Sequence, residues 1–236
     1  MSKKIVITLL TSLILTLVVS CSSGTSSDEV HVTLRDRQFN IPIKFLRQAP
    51  APAWLYDLGL DDGGHTILLT IKADDAAKNI VDYKSDNGNL KENILIYLAV
   101  LTKVDTKAYQ NPTRALGSKI WFGEGWYKNR VIKKYKEYYK VYPDPKYMKQ
   151  WVLLSQYPDS TKSLPNKFSD FHVATCHEVN NSIATASPFE KCGIQMVASK
   201  NLLIEFSVSE QNLHLLPEIK KFLVKLIESW EVKTKK

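Results

Sequence analysis

The sequence predicts an α+β fold, in which an antiparallel β-sheet of six or more strands is covered by one amphipathic C-terminal helix. Short apolar segments, several of them alternating with polar residues, recur between turn-forming residues, as strands do. The last apolar segment instead repeats every three to four residues, which is the period of a helix that buries one face. Of the 236 residues, 44% are hydrophobic, which is enough for a substantial core. We expect one globular domain over residues 30–236.

The predicted strands come from alternation and from apolar runs of strand length. Between the early strands, residues 48–64 are rich in Pro and Gly and indicate an irregular connection, and 74–83 indicates one or two helical turns. Residues 85–89 indicate a turn at Gly88, because Gly tolerates a positive φ. The predicted strands are 30–34, 39–45, 65–72, 94–102, 135–142, 149–154, 171–179 and 193–208, the last being divided into a hairpin at 199–201.

The C-terminal helix has the most regular pattern in the sequence. Pro217 falls in its first turn, where a missing backbone N–H costs little. A helix with one apolar face, following many strands, is expected to lie across the sheet that the strands form. Its apolar stripe consists of Leu215, Ile219, Phe222, Leu226 and Trp230, and it is widened by Leu216, Leu223 and Ile227.

The first twenty residues have the order of an export signal. Lys3 and Lys4 form a basic start, and 5–19 is an almost uninterrupted apolar run. The run is shorter than the about 20 apolar residues of a typical membrane-spanning helix, and small polar residues follow it. We therefore expect 1–20 to be a cleaved signal peptide, with an uncleaved membrane anchor as the alternative.

The end of this segment, Val18-Val19-Ser20-Cys21, resembles the lipobox of bacterial lipoproteins. The resemblance implies that Cys21 becomes the N-terminus and carries the lipid chains that anchor the protein. Residues 21–29 are small and polar, as in a flexible tether. Ser22, and not Asp, follows Cys21, a pattern that resembles outer-membrane sorting in Gram-negative lipoproteins. We expect anchoring in the outer membrane, with the domain facing the periplasm and exposure at the cell surface as the alternative. Such a location disfavours nucleic acid as a partner.

Removal of residues 1–20 leaves 30 Lys and Arg against 24 Asp and Glu, a formal charge of +6. This charge favours acidic partners. With Cys21 lipidated, Cys176 and Cys192 remain, and in an oxidising envelope we expect them to form one disulfide that closes a loop of about 15 residues. Two free thiols, or a metal site shared with histidines, are the alternatives.

No segment carries a known catalytic or cofactor motif. The sequence lacks Gly-x-Ser-x-Gly and a phosphate-binding glycine loop, and His177-Glu178 lacks the second histidine of a zinc-protease helix. We therefore expect neither a cofactor nor a metal, and a protein that is not an enzyme. A carboxylate pair assembled from distant residues would leave no local signature, so a hydrolase stays an alternative.

Aromatic and basic residues interleave between Trp121 and Trp151. Tyr, Trp and Arg are the residue types that dominate protein–protein binding energy. The stretch therefore predicts a recognition surface, and a sheet with tyrosines inside and lysines outside is the alternative. The candidate partner-binding residues are Trp126, Tyr127, Arg130, Lys133, Tyr135 and Tyr138.

The predicted architecture is similar to that of the lipoprotein immunity proteins of type VI secretion. The similarity consists of the lipobox, the edge segment 39–42, the disulfide-linked sheet and the terminal helix ending in Trp230. It implies a membrane-tethered protein that binds and inhibits a toxin, such as a phospholipase or a wall-degrading effector, without catalysis. The alternative is an envelope-maintenance lipoprotein that binds lipid, peptidoglycan or a periplasmic complex.

Overall fold

The computed structural model describes residues 28–47, 66–85, 92–113, 117–179 and 189–233. The predicted signal peptide, the lipidation site Cys21 and most of the tether lie outside these residues. So do the predicted connection 48–64 and most of the predicted turn 85–89. Within the described ranges, no helix is both long enough and apolar enough to cross a membrane.

The strands form two sheets, and every neighbouring pair in them is antiparallel. The small sheet is a hairpin of β1 (Glu29–Leu34) and β2 (Arg37–Pro42). The large sheet has the order β3-β4-β10-β9-β8-β7-β6-β5, so that β5 to β10 form a meander and β10 returns to pair with β4. Its strands are β3 (Thr66–Ile71), β4 (Ile94–Val100), β5 (Val131–Tyr135), β6 (Tyr138–Tyr142), β7 (Gln150–Leu154), β8 (His172–Val179), β9 (Phe189–Ala198) and β10 (Leu202–Ser209).

Four α-helices accompany these strands in the described part of the chain. They are α1 (Ala73–Ala77), α2 (Lys103–Gln110), α3 (Gly117–Phe122) and α4 (Leu216–Trp230). Pro217 lies in the first turn of α4, as predicted. The α4 helix buries Leu216, Ile219, Leu223, Ile227 and Trp230 against the large sheet. Each fully buried side chain of this kind contributes up to about 1.5–3 kcal/mol, so the stripe holds the helix in place.

The main core lies between α4, the small sheet and one face of the large sheet. Phe39 and Ile41 of β2 are fully buried in it, and the rings of Phe45 and Trp230 are 5.0 Å apart. The buried Arg37 donates to both carboxylate oxygens of Glu231, at 3.0 and 2.9 Å, and so joins the hairpin to the end of α4.

Two smaller apolar clusters cover parts of the opposite face. One packs α3 and the segment around Phe168 and Phe171 against β6 and β7. The other packs Tyr109 of α2 against β4 and β10. The large sheet is therefore covered on both faces, which explains why β4 is a continuous apolar run and why nearly every residue of β10 is buried.

The predicted fold class is confirmed: an antiparallel sheet of eight strands, a C-terminal helix and one disulfide. Cys176 and Cys192 are opposite each other in β8 and β9 and both are fully buried. The predicted strands 171–179 and 193–208 left Cys192 just outside the second strand. Instead, Val179 still pairs with Phe189 beyond the disulfide, so both strands extend past it.

Three details of the sequence prediction were wrong. The predicted strand 39–45 ends at Pro42, and Ile43–Phe45 form a short 3-10 helix instead. The predicted strand 135–142 is interrupted by a turn at Lys136 and Glu137, so that its first residue ends β5 and its last five residues form β6. The helices α2 and α3 were not predicted. The start of α2 has a capping box, in which the Thr102 side chain accepts from the Asp105 backbone N–H at 3.0 Å. The helix buries no residue, so the sequence needs no apolar stripe there, and such a stripe is the pattern that identifies a helix.

Candidate functional site

The charge of the chain is concentrated in one segment, residues 126–149, which we call the basic hairpin. It contains eight Lys and Arg residues and two acidic residues, a formal charge of +6. The chain without its first twenty residues also has a formal charge of +6. The remaining residues are therefore neutral in sum, and the positive potential that would attract an acidic partner belongs to this segment.

The basic hairpin consists of β5 and β6 with the segments that flank them. β5 is the last strand of the large sheet and pairs with β6 from Val131–Tyr142 to Tyr135–Tyr138. Lys136 is the first residue of the two-residue turn and has a φ of 53°, a value that non-glycine residues adopt infrequently. Because side chains alternate along a strand, the lysines at 133 and 134 lie on opposite faces of the sheet.

On the face shared with the main core, lysine ammonium groups lie over aromatic rings. Lys133 is exposed and its Nζ lies 5.5 Å from the centre of the Tyr142 ring. Lys140 lies 4.3 Å from the Tyr135 ring and forms an ion pair with Glu210. Lys140 is therefore held by the fold, whereas the ammonium group of Lys133 is accessible.

On the opposite face, Lys134 and two tyrosines form a second group. The Lys134 Nζ lies 4.1 Å from the centre of the Tyr139 ring, and the Tyr139 and Tyr157 rings meet edge to face at 5.5 Å. Tyr157 is 55% exposed. An exposed aromatic ring beside an accessible lysine can contact both apolar and acidic groups of a partner.

A second exposed aromatic pair joins the two segments that flank the hairpin strands. The rings of Trp126 and Tyr147 meet edge to face at 5.7 Å, and they are 57% and 52% exposed. Asp144 accepts from the Lys146 backbone N–H at 2.9 Å and so fixes the short turn that carries Tyr147. Large exposed aromatic side chains are typical of protein-binding surfaces.

Tyr127 and Arg130 stabilise the fold and do not form part of the exposed surface. Tyr127 is buried in the cluster formed by α3, β6 and β7, and burial raises the pKa of its phenol. The Arg130 guanidinium donates to the backbone oxygens of Trp121 and Pro158, at 3.2 and 3.3 Å. It also lies against Gly123, where a Cβ atom would come within 1.3 Å of Nη1. Both residues hold the flanking segment in place.

Tyr135 and Tyr138 are half-buried and pack against the main core. Burial and then the Glu210 carboxylate raise the pKa of Tyr135, and burial and the Glu137 charge raise that of Tyr138. Both phenols therefore keep their protons at neutral pH. Each phenol has a single O–H donor, and a carboxylate of this chain already lies within hydrogen-bonding reach of it, Glu210 for Tyr135 and Glu137 for Tyr138. Both residues therefore offer ring area to a partner and not a free donor.

The structure thus divides the six predicted contact residues. Trp126 and Lys133 are exposed, Tyr135 and Tyr138 are half-buried, and Tyr127 and Arg130 support the fold. The sequence reasoning missed Lys134, Tyr139, Tyr147 and Tyr157. Strand alternation could have indicated Lys134 and Tyr139, but Tyr157 reaches this surface from the segment after β7, and no local pattern marks it.

A second dense group of polar side chains is buried and links the end of β10 to the residues around the start of β4. Asn212 donates to Glu92 at 3.0 Å, accepts from the Lys84 backbone N–H at 2.8 Å, and is fully buried. The Ser209 hydroxyl also donates to the Glu92 carboxylate. Each group has partners within the fold, and the network is structural. Among the described residues, no three His, Cys, Asp or Glu side chains are placed to hold a metal ion.

Comparisons with known proteins give one distant likeness. No family model matches the sequence, and no curated protein matches it. A solved structure of Smlt3025, an immunity protein of the Stenotrophomonas maltophilia type IV secretion system, aligns over 88% of this chain and 94% of its own, with 11% identity and a TM-score of 0.49. A likeness at this level carries no argument about function.

Proposed function

We propose that this protein is a lipid-anchored envelope protein that captures an acidic protein partner on the basic hairpin and neutralises it. The proposal rests on one observation, the concentration of the formal charge of the mature chain in residues 126–149. The partner that we infer is a toxin, such as a phospholipase or a wall-degrading effector, so that the protein is an immunity protein that acts by binding and not by catalysis.

The physical basis is a combination of charge and aromatic area. A concentrated positive field accelerates the encounter with an acidic surface, and the effect weakens with salt. The exposed rings of Trp126, Tyr147 and Tyr157 then offer apolar area that becomes buried in the complex. Side chains of this kind contribute most of the binding energy at protein interfaces.

The test is protection of cells against a phospholipase or wall-degrading toxin, which is first sought among the genes that neighbour this one. Cells that express the toxin and the full chain are compared with cells that carry Lys133→Glu together with Lys134→Glu. The matched control is Lys103→Glu together with Lys107→Glu, two exposed lysines of α2 that change the net charge equally. We expect the hairpin variant to lose protection and to bind the toxin at least about tenfold more weakly, a loss of about 1.4 kcal/mol.

Equal protection by the two double variants would contradict the proposal. If wild-type protein gives no protection but binds vesicles of anionic lipid through the hairpin lysines, the protein is instead an envelope-maintenance lipoprotein. The anchor is tested separately. Cys21→Ala should abolish incorporation of radiolabelled palmitate and release the protein from the membrane fraction, and an unchanged fractionation pattern would disprove the lipobox interpretation.

A further inference from the structure

We infer that the partner binds as an additional β-strand along β5, through an extended acidic segment. This inference rests on the proposed function and specifies how the basic hairpin would hold its partner. Strand addition uses main-chain hydrogen bonds for affinity and alternate side chains for specificity. The two edges of the large sheet, the register of β5 and its charge support this binding mode.

The edges of the large sheet differ. At the β3 edge, Leu46 forms a bridge with Leu69, and the Arg47 backbone N–H donates to the Leu68 oxygen at 3.1 Å. At the other edge, β5 pairs with β6 on one side and with no second strand among the described residues. The backbone groups on the outer side of β5 can therefore bind a further strand.

The register identifies these outer groups. Tyr135 and Tyr138 flank a two-residue turn. Such a turn is closed by a hydrogen bond between the two flanking residues, so Tyr135 and Tyr138 form a hydrogen-bonded pair. Hydrogen-bonded and non-hydrogen-bonded pairs alternate along an antiparallel ladder. The N–H and C=O groups of Lys134, and of Ile132 two residues earlier, therefore point away from β6.

The disulfide gives an independent check of this register. When the alternation is followed from β5 through β6, β7 and β8, Cys176 and Cys192 become a non-hydrogen-bonded pair. Opposite Cα atoms are about 4.5 Å apart in such pairs and about 5.5 Å apart in hydrogen-bonded pairs. The measured distance is 4.0 Å, which agrees with the non-hydrogen-bonded type.

The charge of β5 determines which strand can bind. Lys133 and Lys134 present one ammonium group on each face of the sheet, so acidic side chains on either face of an added strand would find an opposite charge. A second copy of β5 would bring lysine side chains against lysine side chains, and like charges across a strand pair are unfavourable. The occupant that fits is therefore an acidic segment of another protein, and not a second copy of this chain.

The experiment uses a fluorescein-labelled decapeptide of alternating Glu and Val, with a Lys and Val decapeptide as the charge control. The protein is the full lipidated chain in detergent, and binding is measured by fluorescence anisotropy. The decisive variants are Lys134→Pro, which removes the outward N–H, and Lys134→Ala, which removes the same charge but keeps the N–H. Pro is tolerated on edge strands where its N–H would face solvent, so Lys134→Pro should keep the β5–β6 pairing.

We expect the acidic peptide to bind at least about tenfold more tightly than the basic one. We also expect Lys134→Pro to bind it at least about tenfold more weakly than Lys134→Ala. In the wild-type protein, saturating peptide should slow amide hydrogen exchange at Ile132 and Lys134. This exchange measurement decides the matter if Lys134→Pro fails to fold.

Equal affinities of Lys134→Pro and Lys134→Ala, or unchanged exchange at Ile132 and Lys134, would overturn strand addition. The proposed function would then still stand if the hairpin double variant loses protection against the toxin, because side chains alone would hold the partner. If that variant protects as well as wild type, the proposed function fails by itself. The two failures are therefore distinguishable.

Discussion

Arg130 provides a sharp test of how the basic hairpin is built, because the sequence and the structure give it different tasks. The sequence placed it with Lys133 as a binding residue, so that changing either would leave stability unaltered. In the structure, the Arg130 guanidinium joins the backbone oxygens of Trp121 and Pro158. We therefore expect Arg130→Ala to destabilise the fold, whereas Lys133→Ala should not.

The expected size follows from these contacts. A hydrogen bond from a charged group contributes about 1.5–3 kcal/mol, and distances of 3.2 and 3.3 Å put both bonds at the weaker end. The substitution also leaves two carbonyl groups without their donor. Together these losses give about 2–4 kcal/mol. Lys133 is exposed, with its ammonium group 5.5 Å from the Tyr142 ring, so its replacement should cost at most about 0.5 kcal/mol.

The assay is urea unfolding of the full chain in detergent, followed by tryptophan fluorescence. With a slope of about 3 kcal/mol per M for a chain of this size, Arg130→Ala should lower the midpoint by about 1 M, and Lys133→Ala by less than about 0.2 M. If the two variants unfold at the same urea concentration, the structural task assigned to Arg130 is wrong, and Arg130 returns to the set of partner contacts.

Three further predictions concern the core. Asn212→Ala should lower the free energy of unfolding by about 2–4 kcal/mol, because it leaves the Lys84 backbone and Glu92 without their partner. The control is Asn79→Ala at an exposed position, which should change this free energy by less than about 0.5 kcal/mol. Similar urea midpoints for the two variants would contradict the prediction. Replacing Cys176 and Cys192 by Ala should lower the free energy of unfolding by about 3 kcal/mol, the value for a closed loop of about 15 residues. An unchanged thermal midpoint would show that the crosslink adds no stability. Burial lowers the pKa of Lys191 from 10.5 to about 8, so the unfolded chain binds more protons between these values and stability should rise with pH across that window. Lys191→Met should show a smaller rise, because the contribution of Lys191 is lost, and parallel pH profiles of the two proteins would refute the assignment.

Much of the fold could be predicted because its signals are local. The stripe that ends in Trp230 has helical spacing, and the structure buries Ile219 and Trp230 of it together with the adjoining Leu216, Leu223 and Ile227. Leu215, Phe222 and Leu226 are half-buried at the border of this face. The break at 199–201 correctly divided β9 from β10. By contrast, α2 buries no residue, and α3 has only six. Helices this short are stabilised by their surroundings and leave little periodicity in the sequence.

The candidate site could be predicted as a segment but not as a surface. Composition alone identified the basic and aromatic stretch and proposed six contact residues in it, of which Trp126 and Lys133 are exposed in the structure. Composition could not show that Lys133 is exposed and Arg130 is structural, because both are cations. Arg130 is held by backbone oxygens that are distant along the chain. Those oxygens belong to Trp121 and Pro158, which lie 9 and 28 residues away along the chain.

The sequence by itself determined the α+β composition of the fold, the terminal helix and the location of the basic hairpin, because periodicity, turn residues and charge are properties of neighbouring residues. The tertiary structure alone decided that β5 is the outermost strand, that Cys176 and Cys192 are opposite each other, and that Tyr157 joins Tyr139. These features depend on the order of strands in the sheet. Strand order results from the packing of residues that are far apart in the chain, and local patterns do not encode it.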